Sequence, residues 1–390
     1  MSFRLRTLSA LRSSLPRYTT IPSCTRYSST FGYTQAKALV YSQYGPPSDV
    51  LKLHSHSISP AYGDEVTIRF LASPINPADI NQIEGVYPTR PPLTTALGTT
   101  EPSAVPGNEA LVEVQSVGAN VKNFKKGDRA LMRHSAFGTW RTHASATEKN
   151  LTKIDDSKFS KITDIQAATV SVNPCTAYRM LKDFVKLEKG DWFIQNGANS
   201  GVGRAAIQLA RIWGLKSVNI VRSRPNLDEL KEDLTSLGAD LIVTEEELGR
   251  ELKSKVKELT GGKGIRLALN CVGGRATTDM IRQLADEAHV VTYGGMARQP
   301  VIVPASQYIF KDLHTHGFWV SRWSDQNPEG KREMLEDIFN MMLKGEFKEV
   351  PVEKNIWTPE TKEKELKEAV DRSVKGFGGK KQVFVFEGTE

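Results

Sequence analysis

The chain is poor in cysteine, and its first stretch has no acidic residue. Only Cys24, Cys175 and Cys271 occur in 390 residues, and they lie far apart. They make no CxxC pair, no zinc spacing and no disulfide framework. No apolar run approaches the length of a membrane span, so no spanning helix is expected. The first 48 residues contain neither Asp nor Glu, and Asp49 is the first acid.

That same stretch carries Arg4, Arg6, Arg12, Arg17 and Arg26 among many Ser and Thr. Arginine without a single acid suits a basic amphipathic face, the composition of a mitochondrial transit peptide. The expected leader is 1–27, with "RYSS" at Arg26 to Ser29 as the processing site, and the expected destination is the mitochondrial matrix. A secretory signal does not fit, because no long apolar core follows the charges. A disordered tail would not explain the bias. Without these five arginines the formal net charge falls from +7 to +2. A chain so near neutral gives little support for a nucleic-acid partner.

With 39% hydrophobic and 25% charged residues, the chain reads as globular and long enough for two cores. Residues 28–169 are β-rich and punctuated. "QAKALVYSQYG", "DEVTIRFLASPINPADI", "ALVEVQSVGANV" and "GDRALMR" read as strands, and the part looks like a small barrel. Residues 170–325 alternate strand and helix from "DWFIQNG" through "AHVVTYGGM", with "GFWVSR" expected as a further strand. That alternation argues for an α/β fold with a doubly wound parallel sheet. Residues 326–390 hold two helices and "KKQVFVFEG", a strand expected to return to the first part.

In "NQIEGVYPTRPP", Asn81 to Pro92, breakers are too dense for a regular helix or strand. One ionisable aromatic, Tyr87, sits among them. It either fills a gap under the loop or serves as a proton donor.

The strongest local motif is "IQNGANSGVGRAA", Ile194 to Ala206. A strand, a glycine turn and a helix start in that order suit a pyrophosphate at the helix N-terminus. Nineteen residues separate Gly203 from Arg222, close to the spacing expected for the adenosine-ribose contact. An acid is usual there. Arg222, Ser223 and Arg224 stand instead, which suits a 2′-phosphate and points to NADPH. Glycines in "CVGG" and "YGGM" extend the cofactor edge. Phe318 to Ser321 either line the nicotinamide or join a subunit interface.

Together these motifs resemble the medium-chain dehydrogenase/reductase superfamily, and within it the mitochondrial 2-enoyl thioester reductases. "SPINPADINQIEGVYP", "PGNEALVEV", "SVNPCTAYRML", "NGANSGVG", "RSRPNLDEL", "VTYGGM" and "FKDLHTHGFWV" carry the resemblance over nearly all the chain after the leader. It implies a Rossmann-type sheet plus a β-rich GroES-like catalytic domain. It implies Tyr87 as the catalytic tyrosine. It also implies NADPH contacts at Asn173, at Asn199, Ser200, Gly201 and Val202, and at Arg222, Ser223 and Arg224. Further contacts are implied at Tyr293, Gly294, Gly295 and Met296, at Phe318, Trp319, Val320 and Ser321, and at Lys381, which Lys380 adjoins. Ser200 departs from the glycine of many superfamily members. A homodimer through the nucleotide-domain edge is the family expectation. The superfamily's zinc enzymes hold their metal with a Cys and a His; "NPAD" and "GNE" stand at the comparable places here, so no metal ligands are expected.

The implied reaction is NADPH-dependent reduction of a trans-2-enoyl thioester on acyl carrier protein or CoA, in mitochondrial fatty acid synthesis. A phenol is protonated at neutral pH and can give the α-carbon its proton. Because carrier proteins are acidic, Arg90, Arg141, Arg298 and Arg322 are candidate docking residues. A zinc-free quinone reductase would share fold and cofactor without needing Tyr87. A non-catalytic binding protein could retain the same fold.

Overall fold

The computed structural model describes residues 32–375 and 380–389. The expected leader, 1–27, lies outside the described residues. The β-rich part begins with β1 (Thr34–Val40), β2 (Lys52–Ile58), β3 (Glu65–Pro74), β4 (Leu111–Val117), β5 (Arg129–Met132), β6 (His143–Thr147) and β7 (Leu151–Lys153). The alternating part supplies β8 (Trp192–Gln195), β9 (Lys216–Val221), β10 (Leu241–Thr244), β11 (Leu267–Asn270), β12 (His289–Thr292) and β13 (His314–Gly317). The chain closes with β14 (Val352–Trp357) and β15 (Lys381–Phe386).

Strands β8 to β13 form one parallel sheet in the order β10-β9-β8-β11-β12-β13. The order reverses between β8 and β11, and a crevice at the carboxyl ends of the strands opens at such a reversal. The β-rich part is not a closed ring. Its main sheet runs β14-β15-β3-β4-β5-β7, with β6 also on β3, while β1 and β2 pair separately. β15 lies antiparallel to β3, pairing Val383 with Pro74 and Val385 with Ala72. One buried cluster joins Ala72, Leu111 and Leu131 of the β-rich strands to Phe193, Leu209 and Leu269 of the parallel sheet and its helices. The two parts therefore share apolar packing beneath the crevice.

Two local expectations change. "GFWVSR" is not a strand: β13 ends at Gly317, Trp319 caps a helix at Val320–Gln326, and Val320 is buried in it. The first residues of "NQIEGVYPTRPP" are also helical, because a helix runs over Pro77–Ile83. Pro77 opens it where no amide donor is needed. Asn76 and Asp79 make a reciprocal capping box, and Gly85, at φ 78°, turns the chain out toward Tyr87.

Candidate active site

The cofactor turn is built by β8 and the helix Gly201–Trp213. Ser200 caps that helix, its Oγ accepting from Gly203 N at 3.1 Å. The departure from glycine at this position therefore has a use. A Cβ on Gly203 would fall 2.5 Å from the Ala198 carbonyl oxygen, and one on Gly201 would fall 2.6 Å from Asn173 Nδ2. Asn173 thus lies directly against the turn. Two further loops are fixed by a buried hub on Asn270. Its Oδ1 accepts from Asn196 Nδ2 at 2.8 Å, Thr277 Oγ1 at 2.8 Å and Val272 N at 3.1 Å. Its Nδ2 donates to Thr292 Oγ1 at 3.1 Å. The hub ties the ends of β8, β11 and β12 together, and each end leads into a loop at the crevice.

Arg222, Ser223 and Arg224 follow β9, while Tyr293 to Met296 follow β12. Three strand spacings separate β9 from β12, about 14 Å, the scale of an extended dinucleotide. Burial pulls the Arg224 pKa down, with a further push from Arg222. Glu245, after β10, is within electrostatic reach of Arg222, and burial raises its carboxyl pKa. Motif reasoning missed this acid because it follows the neighbouring strand. Gly294 lets the next loop run close to the end of β11, where Met296 N donates to Cys271 O at 2.8 Å. The Met296 side chain itself is 64% exposed.

Tyr87 is half-buried on the opposite wall. Its ring meets Trp319 edge-on, with centroids 6.0 Å apart and planes at 85°. Burial pushes its phenol above the usual tyrosine range; Trp319 pulls the other way and the Asp79 carboxylate adds to the push. The group is therefore a protonated hydroxyl at neutral pH. Tyr293, after β12, is also held protonated by burial, with Cys271 and Ser200 beside its hydroxyl. Phe318 packs edge-on against Phe184 at 6.0 Å. Ser321 follows Val320 in the first turn of the short helix.

A buried polar network underlies the Tyr87 loop. Gln82 Nε2 donates to Thr89 O at 2.7 Å, and Gln82 Oε1 accepts from Asn108 Nδ2 at 2.7 Å. Asn108 Nδ2 also donates to Asp79 Oδ1 at 2.6 Å. Asp79 and Glu109 are 0% and 1% exposed. Lys381 Nζ donates to Asn76 Oδ1 at 2.5 Å, on this network rather than among the glycine loops. Burial holds the Asp79 carboxyl up to about 7, raises Glu109 and lowers Lys381, with each carboxylate opposing the shift at the ammonium.

Of the candidate docking arginines, Arg141 is ruled out. It is lodged against Phe137 and Phe70, donates to Phe137 O, and burial lowers its pKa to about 10. The other three surround the Tyr87–Trp319 pair. Arg90 donates to Gly85 O at 2.9 Å, Arg298 pairs with Glu84 at 2.9 Å, and Arg322 stacks 5.3 Å over Trp319.

A parallel nucleotide-binding sheet, a capped glycine turn and a facing phenol on a β-rich part define a two-part dinucleotide oxidoreductase. Known proteins narrow the class. Residues 62–156 match the alcohol dehydrogenase GroES-like domain, and residues 201–338 match the zinc-binding dehydrogenase family. The mitochondrial enoyl-[acyl-carrier-protein] reductase of Schizosaccharomyces pombe is 44% identical over 366 residues, 93% of this chain and 97% of that protein. Among solved structures, the complex of Etr1p with NADP and crotonyl-CoA shares 41% identity at a TM-score of 0.85, covering 90% of this chain and 99% of that one. The mitochondrial 2-enoyl thioester reductase Etr1p/Etr2p heterodimer from Candida tropicalis shares 40% identity at a TM-score of 0.85, with the same coverage. The chain belongs to the enoyl-[acyl-carrier-protein] reductase family of the medium-chain dehydrogenase/reductases.

Proposed function

We propose that this protein reduces trans-2-enoyl thioesters with NADPH, in mitochondrial fatty acid synthesis, and that Tyr87 supplies the α-carbon proton. The observation that carries the reading is the half-buried phenol of Tyr87 set edge-on to Trp319, which caps the helix following the last strand of the parallel sheet. NADPH, when bound, supplies hydride to the β-carbon. The chain's own work is to orient the thioester, exclude water and present a proton.

The turn from Asn199 to Val202, with Asn173 against it, is assigned the pyrophosphate. Arg222, Ser223 and Arg224 are assigned the 2′-phosphate, and Tyr293 to Met296 with Phe318 to Ser321 the nicotinamide surroundings. Lys381 is retained as a residue serving the same cleft. The Tyr87 hydroxyl is close to Trp319 on a loop that Gln82 holds through Thr89 O, which limits its wandering. As charge moves onto the thioester oxygen, the phenol can hydrogen-bond to the developing enolate and then yield its proton to carbon.

Replacing Tyr87 with Phe removes only the hydroxyl. Turnover with a crotonyl thioester is expected to fall roughly 10²- to 10⁴-fold while NADPH affinity, read by fluorescence titration, is kept. Near-normal turnover would sink the assignment. A quinone reductase reading makes the opposite forecast, with unchanged activity toward a quinone and little toward the enoyl thioester in the wild type.

A further inference from the structure

The chain matches a zinc-binding family, so whether its residues would accept zinc is a physical question. They do not fit it. Among the described residues, no group of three or more His, Cys, Asp or Glu side chains is arranged to hold a metal. The segments "NPAD" and "GNE" instead bring together Asn76, Asp79, Asn108 and Glu109. All four carboxylate oxygens there already accept. Asp79 Oδ2 takes Asn76 N at 2.7 Å and Oδ1 takes Asn108 Nδ2 at 2.6 Å. Glu109 Oε2 takes Asn76 Nδ2 at 3.0 Å and Oε1 takes Val172 N at 2.9 Å. The Lys381 ammonium donates to Asn76 Oδ1, so a divalent cation would have to displace these bonds and face a positive charge.

Two carboxyl groups this deeply buried need a cation or a proton nearby. Lys381 reaches Asn76, which donates to both of them, from β15, a strand more than 270 residues further along the chain than Glu109. We infer that the Lys381 ammonium is the resident cation of this centre and a positioning residue. Its single positive charge offsets one of the two carboxyl groups of Asp79 and Glu109, which hold the two walls of the crevice in register. Asp79 caps the helix leading to Tyr87. Glu109 holds the amide of Val172, immediately before Asn173. The inference rests on the assignment of Tyr87 and Asn173 to the reaction, but its first readout does not.

The test is a charge cycle: Lys381→Met, Glu109→Gln and the double variant, with Lys381→Arg as the variant that keeps the cation. Removing the ammonium alone strands buried negative charge. The melting temperature of the ligand-free protein is expected to drop on the order of 10 °C. Adding Glu109→Gln removes the stranded charge, and the Asn76 amide can turn to accept from the new amide. The double variant is expected to recover at least half the lost melting temperature. Its kcat is expected to exceed that of Lys381→Met by about tenfold, with the KM for NADPH unchanged between the two. Lys381→Arg is expected to melt above Lys381→Met. If Lys381→Met does not fold alone, a folded double variant is the same rescue. No rescue in melting temperature, or a Lys381→Met variant that only raises the KM for NADPH, overturns the inference. Loss of enoyl reductase activity in the wild type would instead overturn the proposed function and leave the thermal cycle standing.

Discussion

At the scale of single residues, the two most legible features were Tyr87 and the Arg222-Ser223-Arg224 triplet, because each is a local departure from what its position ordinarily needs. A tyrosine among breakers and two arginines in place of an acid are visible without a fold. The triplet yields a direct forecast. Replacing Arg222 and Arg224 together with Ala removes the two guanidiniums assigned to the 2′-phosphate. The KM for NADPH is expected to rise roughly 10- to 100-fold while that for NADH stays within about twofold. An equal rise for both cofactors would place the arginines elsewhere. Glu245 was not legible, since its nearness to Arg222 follows from strand pairing across the sheet. The role of Asn108 was hidden for the same reason: its partners Asp79, Gln82 and Ala136 come from both sides of it in sequence.

Elements were read well where period and punctuation agreed. The helix Gly201–Trp213 begins at its capping serine and ends at Gly214, at φ 75°. The β13 strand was misplaced because its residues, "HTHG", are polar and mostly exposed, whereas "FWVS" has the aromatic and β-branched look of a strand. An edge strand need not show an apolar alternation, and the true helix start at Val320 was masked by that composition. The helix Pro77–Ile83 was partly hidden by its neighbouring prolines, although its capping box lies in the sequence. The glycine turn supports an element-level experiment. In Gly203→Ala the added methyl meets the Ala198 carbonyl oxygen at 2.5 Å, inside any tolerable contact. The turn must shift, so NADPH affinity is expected to fall more than about tenfold, while far-ultraviolet circular dichroism stays native. Unchanged affinity would mean that the turn does not approach the cofactor.

On the whole-molecule scale, strand–helix alternation implied a parallel sheet but not the order β10-β9-β8-β11-β12-β13, which depends on crossovers. That order leaves β13 at the end of the sheet, and Ile309 and Phe310 stand exposed on the helix Ala305–Lys311 that leads into it. Ile309 and Phe310 are 71% and 78% exposed, and apolar groups of this size grouped at a sheet edge suit a second copy of the chain. Phe310→Glu is expected to shift the sedimentation mass from two chains toward one, and a wild type already at one chain would refute the homodimer.

The mouth of the crevice makes a different demand. Arg90, Arg298 and Arg322 stand on three segments that converge on the Tyr87–Trp319 pair, and all three are exposed. No single guanidinium there is worth much in water, and Arg298 is already shared with Glu84. Their joint field can still favour the approach of an acidic carrier protein, because steering depends on summed charge and is screened by salt. Changing all three to Ala is therefore expected to lower kcat/KM for a carrier-borne enoyl substrate about tenfold at low ionic strength. It should also abolish most of the salt dependence of that rate. A short N-acetylcysteamine enoyl thioester, which carries no phosphate, should be reduced at the same rate by the variant and the wild type. Equal losses on both substrates would trace the defect to the Tyr87 loop, through the Arg90 bond to Gly85 and the Arg298 bond to Glu84, and would remove the three arginines from docking.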